Sequence, residues 1–262
     1  MCIVNSVGKR AINNRDDVKT IQILLNLNLG SLIPFAPLVP DGAIGLRTIN
    51  IIEEFQRRVT RAAAPDGKVS PNGPTLEKLR QGMVPGFSPE KLAGIMIHAS
   101  AATITRYYDV LTTRMAGHGI TTPLRMAHFL AQLGHESAEF RFVEEIASGE
   151  AYEGRANLGN TEAGDGKRFK GRGLIQITGR ANYTAYGKSR GSDYTTDATA
   201  TLLATDPNLA ADASCWFWET KGLNQLADLD IVEAVTYRVN GGYNGLADRR
   251  VKLARAKFFL VT

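Results

Sequence analysis

Apolar residues recur at spacings of three and four along most of the chain, which predicts a mainly α-helical protein. Asp16 to Leu27 places Val18, Ile21, Leu24 and Leu25 on one face, with Asp16 or Asp17 positioned as a cap. Leu46 to Val59 turns Ile49, Ile52, Phe55 and Val59 inward, and a shorter helix follows over Thr75 to Leu79. Each of the last two helices comes after an Asp-Gly turn, Asp41-Gly42 and Asp66-Gly67, so the arrangement reads as a repeat. Gln81 to Pro89 has linker composition. Ser88-Pro89 then opens a helix running through Leu92, Ile95, Met96 and Ala99, and another covers Ala101 to Met115. Further helices are predicted over Asp206 to Trp218, Asp230 to Val239 and Arg249 to Phe259.

Thr122-Pro123 starts the most informative segment. Thr122 caps a helix whose apolar face is Leu124, Ala127, Leu130 and Ala131, and the apolar run stops at Gly134, just before His135-Glu136. A Glu at a helix C-terminus and against apolar side chains has two reasons to keep its proton, the helix dipole and lost solvent. That is the property of a general acid working near neutral pH. Paired carboxylates suggest glycoside hydrolysis, one protonating the leaving oxygen and one orienting water. Glu145, nine residues on, would face away from Glu136 in an unbroken helix, so the helix must end near His135 to Ser137. Glu144, Glu150 and Glu153 compete for the base role. An opposed pair about 6.5–9.5 Å apart would leave room for water and imply inversion.

Composition narrows the class. With 262 residues, 44% hydrophobic, the chain has material for one large core or two domains. A net charge of +5 is modest, with 11 basic against 7 acidic residues through Gly86 and 20 against 19 after it. No dense basic run points to nucleic acid. Cys2 and Cys215 lie too far apart in sequence to suggest a disulfide framework, and Cys215 reads as core. His98, His118, His128 and His135 are scattered, so no metal site is expected, and no nucleotide fingerprint calls for a cofactor. The start of the chain lacks the pattern of a secretory signal, and no 18-residue apolar run suits a membrane span.

A Gly-rich polar stretch, Ala147 to Gly159, reads as a cleft wall. Downstream, Gly171-Arg-Gly-Leu-Ile-Gln-Ile-Thr178 sets Gln176 and Thr178 within an apolar knot, where their polar groups would be well fixed. His135-Glu136-Ser137 with a Glu nine residues on, this Gly-Arg-Gly segment, Asn182-Tyr183 and Asn240-Gly241-Gly242 together resemble glycoside hydrolase family 19. That family comprises chitinases and related phage and bacterial peptidoglycan hydrolases. The resemblance covers roughly residues 90 to 260. It implies a mostly α-helical, lysozyme-like catalytic domain with a loop-built cleft and an inverting reaction. Position by position, it implies that Glu136 is the general acid, Glu145 the base, and Thr178 a holder of the attacking water. Gln176, Asn182 and Asn240 would bind sugar with support from Tyr183, and His135 would brace a loop. The chain lacks the several Cys and the longer loop of the plant enzymes.

The front of the chain, with its short helices, Gln22, Phe55-Gln56 and Asp-Gly turns, resembles the peptidoglycan-binding domain of many wall hydrolases. Its insertion, Ser31 to Pro40, is either a binding surface or a lid over a small core. The expected organisation is therefore a binding module with linker over residues 1–87 and a catalytic domain over 88–262. Together they look like a modular phage endolysin: a monomer made in the host cytoplasm, reaching the wall through holin lesions. It would cut peptidoglycan strands between N-acetylmuramic acid and N-acetylglucosamine. A chitinase is the second enzymatic reading. The contrasting class is a non-enzymatic wall-binding protein with Glu136 and Glu145 as relics.

Overall fold

The computed structural model describes residues 2–261 and is mainly helical. It contains two compact units, one formed by residues up to His98 together with those from Ala254 onward, the other by Ala99–Leu253.

In the first unit, α1 (Arg15–Leu27), α2 (Leu46–Phe55), α3 (Pro74–Gln81) and α4 (Pro89–Ile95) surround a core that includes Val18, Ile21, Leu24, Ile52, Phe55 and Leu79. A two-residue strand, β1 (Val7–Gly8), pairs antiparallel with β2 (Lys68–Val69), Val7 opposite Val69. Strands this short carry no periodic signal, and pattern does not reveal them. The cap of α1 is Asn14, whose side chain accepts from Asp16 N at 3.0 Å. Asp17 instead accepts the amides of Val4 and Asn5 at 2.9 and 2.8 Å, so its carboxylate ties down the N-terminal segment. Beyond Phe55 the helix widens into a π-helical turn over Gln56–Thr60, stopped by Arg61 in a left-handed conformation.

The repeat seen in sequence is a repeat of hydrogen bonding. Gln22 Nε2 donates to Asp41 Oδ1 (2.9 Å) and Ala43 O (3.1 Å), while its Oε1 accepts Gly42 N (2.9 Å). Gln56 Nε2 donates to Asp66 Oδ1 (2.6 Å) and Lys68 O (3.0 Å), and its Oε1 accepts Gly67 N (2.9 Å). Both Gln residues are buried, and both glycines adopt positive φ, +75° and +65°, which a side chain would strain. Between the copies, the insertion sends Leu32 and Leu38 into the core and leaves Ile33 and Val39 exposed.

The composition of residues 81–89 marks a turn within this unit, not the border expected at 87/88. Helix α4 packs on α1, burying Leu92 and Ile95. It stops at Ile95, short of the expected Ala99. Arg255, far along the chain, donates to Gly94 O (2.5 Å), Cys2 O (3.0 Å) and Thr20 Oγ1 (2.8 Å).

The second unit contains α5 (Ala101–Gly117), α6 (Pro123–Glu136), α7 (Asp165–Arg168), α8 (Arg180–Arg190), α9 (Asp197–Thr205), α10 (Pro207–Thr220), α11 (Leu223–Asp228) and α12 (Val232–Asn240). The last helix, α13 (Leu246–Leu260), begins here. Helix α10 is central: it packs against α5, α9 and α11, and its Trp218 meets Phe129 of α6 edge-on at 5.3 Å. Cys215 is core, as expected, and burial pushes its thiol upward. Buried Asp212 accepts Tyr186 Oη (2.8 Å) and Arg190 Nε (2.6 Å). Burial opposes its charge, yet hydrogen bonds from His118, Arg190 and Tyr186 outweigh it and hold the carboxyl well below the usual range. Among the described residues, no helix is long and apolar enough to cross a membrane.

Because each Gln amide satisfies buried backbone groups on both its atoms, Gln56→Ala should destabilise the first unit by about 2 kcal/mol. Denaturant unfolding of the full chain, with Gln22→Ala as the parallel case, measures this.

Candidate active site

Helix α6 ends at Glu136, as the spacing requires, with Ser137 as its C-cap. The next three residues, Ala138, Glu139 and Phe140, have φ of 46°, 59° and 70°, a run of left-handed conformations in residues that disfavour them. The cost is about 1–2 kcal/mol per residue, and several contacts offset it. Ser137 Oγ donates to Leu133 O (2.6 Å) and accepts Phe140 N (2.9 Å), and Phe142 N donates back to Ser137 O (2.8 Å). The Phe140 ring lies 5.0 Å from that of Tyr107, and buried Glu139 pairs with Lys252 at 2.9 Å. The chain therefore reverses within one turn.

Glu136 meets a partner that sequence reading missed. Arg249 of α13 is 1% exposed; its Nη1 donates to Gln132 Oε1, and its Nη2 to Glu136 Oε1 at 2.5 Å. Gln132 and Glu136 are one turn apart, so one guanidinium spans both. The expected apolar setting is thus corrected: the carboxyl at this helix end is held by a buried cation. His135 Nδ1 bonds Asp248 Oδ2 at 2.6 Å, and a Cβ at Gly245 would come within 2.2 Å of the His135 ring. His135 therefore braces the loop between α12 and α13. Asn240, the last residue of α12, is exposed, and its side chain reaches Asn244 O at 3.4 Å.

After the reversal, residues 143–145 run beside 171–173: Gly173 N donates to Val143 O and Glu145 N to Gly171 O, both 2.9 Å. Successive side chains in extended backbone point to opposite sides, and this separates the two neighbouring carboxylates. Glu144 pairs with Arg172 Nε (2.8 Å) and Lys170 Nζ (3.4 Å). Glu145 Oε1 accepts Tyr152 Oη (2.9 Å), and its Oε2 accepts Gly171 N (3.2 Å). Glu150 is exposed and paired with Lys167 at 2.9 Å. Glu153 accepts Gly164 N (2.7 Å) and Gly166 N (2.8 Å), bracing its loop. Of these four carboxylates, Glu145 alone is held by a phenol and an amide without a cation.

Gly171 is where the candidate groups meet. A Cβ there would lie 2.9 Å from Gln176 Oε1 and 3.3 Å from Thr178 Oγ1, while its N–H serves Glu145. Glu145, Gln176 and Thr178 are thereby brought together. Asn182 Nδ2 is turned to Thr178 O at 2.7 Å. Tyr183 is not itself a sugar contact but has the setting of a supporting residue: it is fully buried, donates to Lys170 O (2.8 Å) and accepts Arg172 Nη1 (3.1 Å). Burial pushes its phenol up to about 12.

Tyr152 sits in the irregular wall, which is pinned in turn. Asn160 Nδ2 donates to Tyr152 O (2.9 Å), Arg180 N donates to Asn160 Oδ1 (2.8 Å), and Arg180 clasps Asp165 at 2.6 and 2.8 Å. The Arg180 guanidinium holds the buried Asp165 carboxyl below its ordinary range.

Residues 115–238 match the family model described as chitinase class I. A glycosyl hydrolase family 19 domain-containing protein of Haemophilus influenzae is 34% identical over 180 residues, covering 57% of this chain and 86% of that protein. The chain belongs to glycoside hydrolase family 19. An endochitinase of Arabidopsis thaliana is 36% identical over 144 residues, 54% of this chain and 48% of its own length, so the chain spans about half of that relative. The fold agrees with chitinase C from Streptomyces griseus, with a TM-score of 0.56 at 20% identity over 67% of this chain and 92% of that one. A class IV family 19 chitinase from Zea mays gives 0.51 at 21% identity, covering 66% and 90%.

Removing one hydrogen bond to a working carboxylate costs about 1.4 kcal/mol, so Tyr152→Phe should lower glycoside turnover about tenfold while leaving thermal stability near that of the parent. For the wall, Asp165→Ala should cost about 3 kcal/mol, because it removes the acceptor shared by Arg180 and the amides of Thr161 and Glu162, while Arg180 keeps Glu162 at 2.6 Å. With its folded pKa lowered, Asp165 contributes fully above 3.8, the ordinary value, and loses that contribution as pH falls through the folded value. Denaturant titrations between neutral and strongly acid pH should therefore show a steeper loss of stability in the parent than in Asp165→Ala.

Proposed function

We propose that this family 19 hydrolase cleaves the β-1,4 bond between N-acetylmuramic acid and N-acetylglucosamine in peptidoglycan, by inversion. The observation that carries the reading is the different tethering of two carboxylates flanking one chain reversal. Glu136 is the general acid. Arg249 holds its Oε1, which leaves Oε2 as the atom to carry a proton to the glycosidic oxygen. Glu145 is the base: neutral donors on both oxygens orient it without a competing cation, and it can take a proton from water. Thr178, close by at Gly171, holds that water, with Gln176 and the exposed Asn240 as sugar contacts. Bond cleavage and water attack on opposite faces of the sugar give the inverted anomer.

Peptidoglycan is favoured as substrate by the first unit, whose doubled Gln/Asp-Gly construction resembles wall-binding modules. A binding unit and a hydrolase on one chain suit lysis of a host from within, with the enzyme acting on the wall in the periplasm after holin lesions admit it. The chitinase reading is the alternative, because relatives named as endochitinases match the chain at up to 36% identity.

Mass spectrometry of digested peptidoglycan decides between them. Fragments ending in reducing muramic acid are expected. Reducing glucosamine, or chitin oligomers turned over much faster than peptidoglycan, would replace this substrate assignment. Glu136→Gln should lower hydrolysis about 10³-fold; undiminished wall clearing would sink the mechanism.

A further inference from the structure

The two copies of the Gln/Asp-Gly knot in the first unit are alike in bonding and unlike in what stands beside them. Two and four residues after the Asp, the first copy has Ala43 and Gly45, whereas the second has Lys68 and Ser70. Since the first knot is complete with Ala and Gly at these places, the second does not need the ammonium or the hydroxyl for its own construction. Among the described residues, Lys68 Nζ and Ser70 Oγ have no hydrogen-bond or ion-pair partner. Both residues are partly buried, so they are not simply freely solvated.

The positions four residues after each Gln differ as well. Asn26 in the first copy is bonded on both its atoms to Leu38, its Nδ2 to O and its Oδ1 to N, each 2.8 Å. Leu38 belongs to the insertion, which has no counterpart in the second copy, where Asp66 follows Gln56 by only 10 positions. Thr60 is the matching residue there, and it lines an open groove of about 250 Å³ with Gln56, Asp66, Lys68, Ser70 and Thr75. The lining residues carry three hydroxyls, an amide, a carboxylate and an ammonium; the amide is fixed by the knot, Thr60 Oγ1 donates to Gln56 O (2.7 Å) and Thr75 Oγ1 accepts Gln56 Nε2 (3.3 Å).

The geometry points to the second knot as a binding site for one N-acetylated sugar of a glycan strand, with the first knot retained as structure only. This rests on the wall-binding reading of the first unit. The lining carries both charges together with hydroxyls, of which that of Ser70 is unspent, which suits a neutral ligand dense in O–H and acetamide groups. An isolated anion would meet Asp66 as well as Lys68. Lys68 and Ser70 supply the unspent donors, and the Asp66 carboxylate accepts sugar hydroxyls.

Co-sedimentation of the full chain, silenced by Glu136→Gln, tests this on two glycans: peptidoglycan strands freed of peptide, and chitin. Adding Lys68→Ala and Ser70→Gly writes the first copy's residues into the second, a change the knot already tolerates. Retention should weaken about tenfold for the loss of one to two hydrogen bonds, with an unchanged melting midpoint. Weakening on both glycans assigns the site to the shared acetamido sugar, and weakening on peptidoglycan alone assigns it to the muramyl unit. Undiminished retention overturns the groove and leaves the wall-binding reading standing. If the silenced parent is retained on neither glycan, both fall. Independently, adding a tetrasaccharide of alternating N-acetylglucosamine and N-acetylmuramic acid to the silenced chain should shift amide resonances of residues 66–70 and spare 41–45. Shifts in both loops or in neither would overturn the distinction between the copies.

Discussion

A helix that must stop within one residue of Glu136 is the constraint on which the catalytic unit depends. The three left-handed residues after Ser137 turn the chain so sharply that residues 143–145 can lie along the Gly-Arg-Gly segment. Had α6 run on for two more turns, Glu145 would have risen on its opposite side, and no rearrangement of loops could have brought it to the same cleft. The strain is spread over a hydroxyl, an aromatic pair and a buried ion pair, each from a different part of the unit. Strained backbone of this kind persists where surrounding packing over-determines it, and such places are enriched at functional sites.

From that reversal the two carboxylates acquire unlike surroundings. Glu136 stands on rigid helix and answers to a buried guanidinium, itself anchored on Gln132. Glu145 stands on extended chain and answers to a tyrosine from a long irregular segment, which a series of Asn and Arg contacts keeps in place. Gly171 is the compact point of the arrangement, because only a residue without a side chain leaves room there for Gln176 and Thr178. Glu144, adjacent to Glu145 in sequence, is diverted to Arg172 by nothing more than the alternation of extended backbone.

Local features were legible in the sequence. Thr122 and Pro123 open α6 as their preferences require, the apolar face of the helix is buried, and the change of pattern after Gly134 marks where it ends. The two Asp-Gly turns likewise announced a repeat, although the Gln that fastens each one did not. Illegible were the contacts that join distant segments: Arg249 is 113 residues from Glu136, and nothing in its own neighbourhood distinguishes it from other helical arginines. The clue to it was Gln132, a polar residue in an apolar run one turn before Glu136. Tyr152 lay in a stretch without periodicity, where its direction could not be inferred. Which groups Tyr183 supports was not legible either, because a motif records which residues recur together, and not which of them face the ligand and which hold the others. Asp17 was taken for a cap because it stands near a helix start, whereas its carboxylate serves two amides elsewhere.

The first unit is discontinuous in sequence, since residues from Ala254 onward belong to it through Arg255 and its bonds to Thr20, Cys2 and Gly94. A ribosome releases those residues only after the catalytic unit has been made, so a segment synthesised before that unit is completed only after it. Its maturation is thereby tied to synthesis of the enzyme, and a nascent chain cannot present a finished front unit ahead of a finished hydrolase. The same dependence limits modular exchange: a graft of residues 1–87 alone would leave behind α4 and the arginine that fastens it.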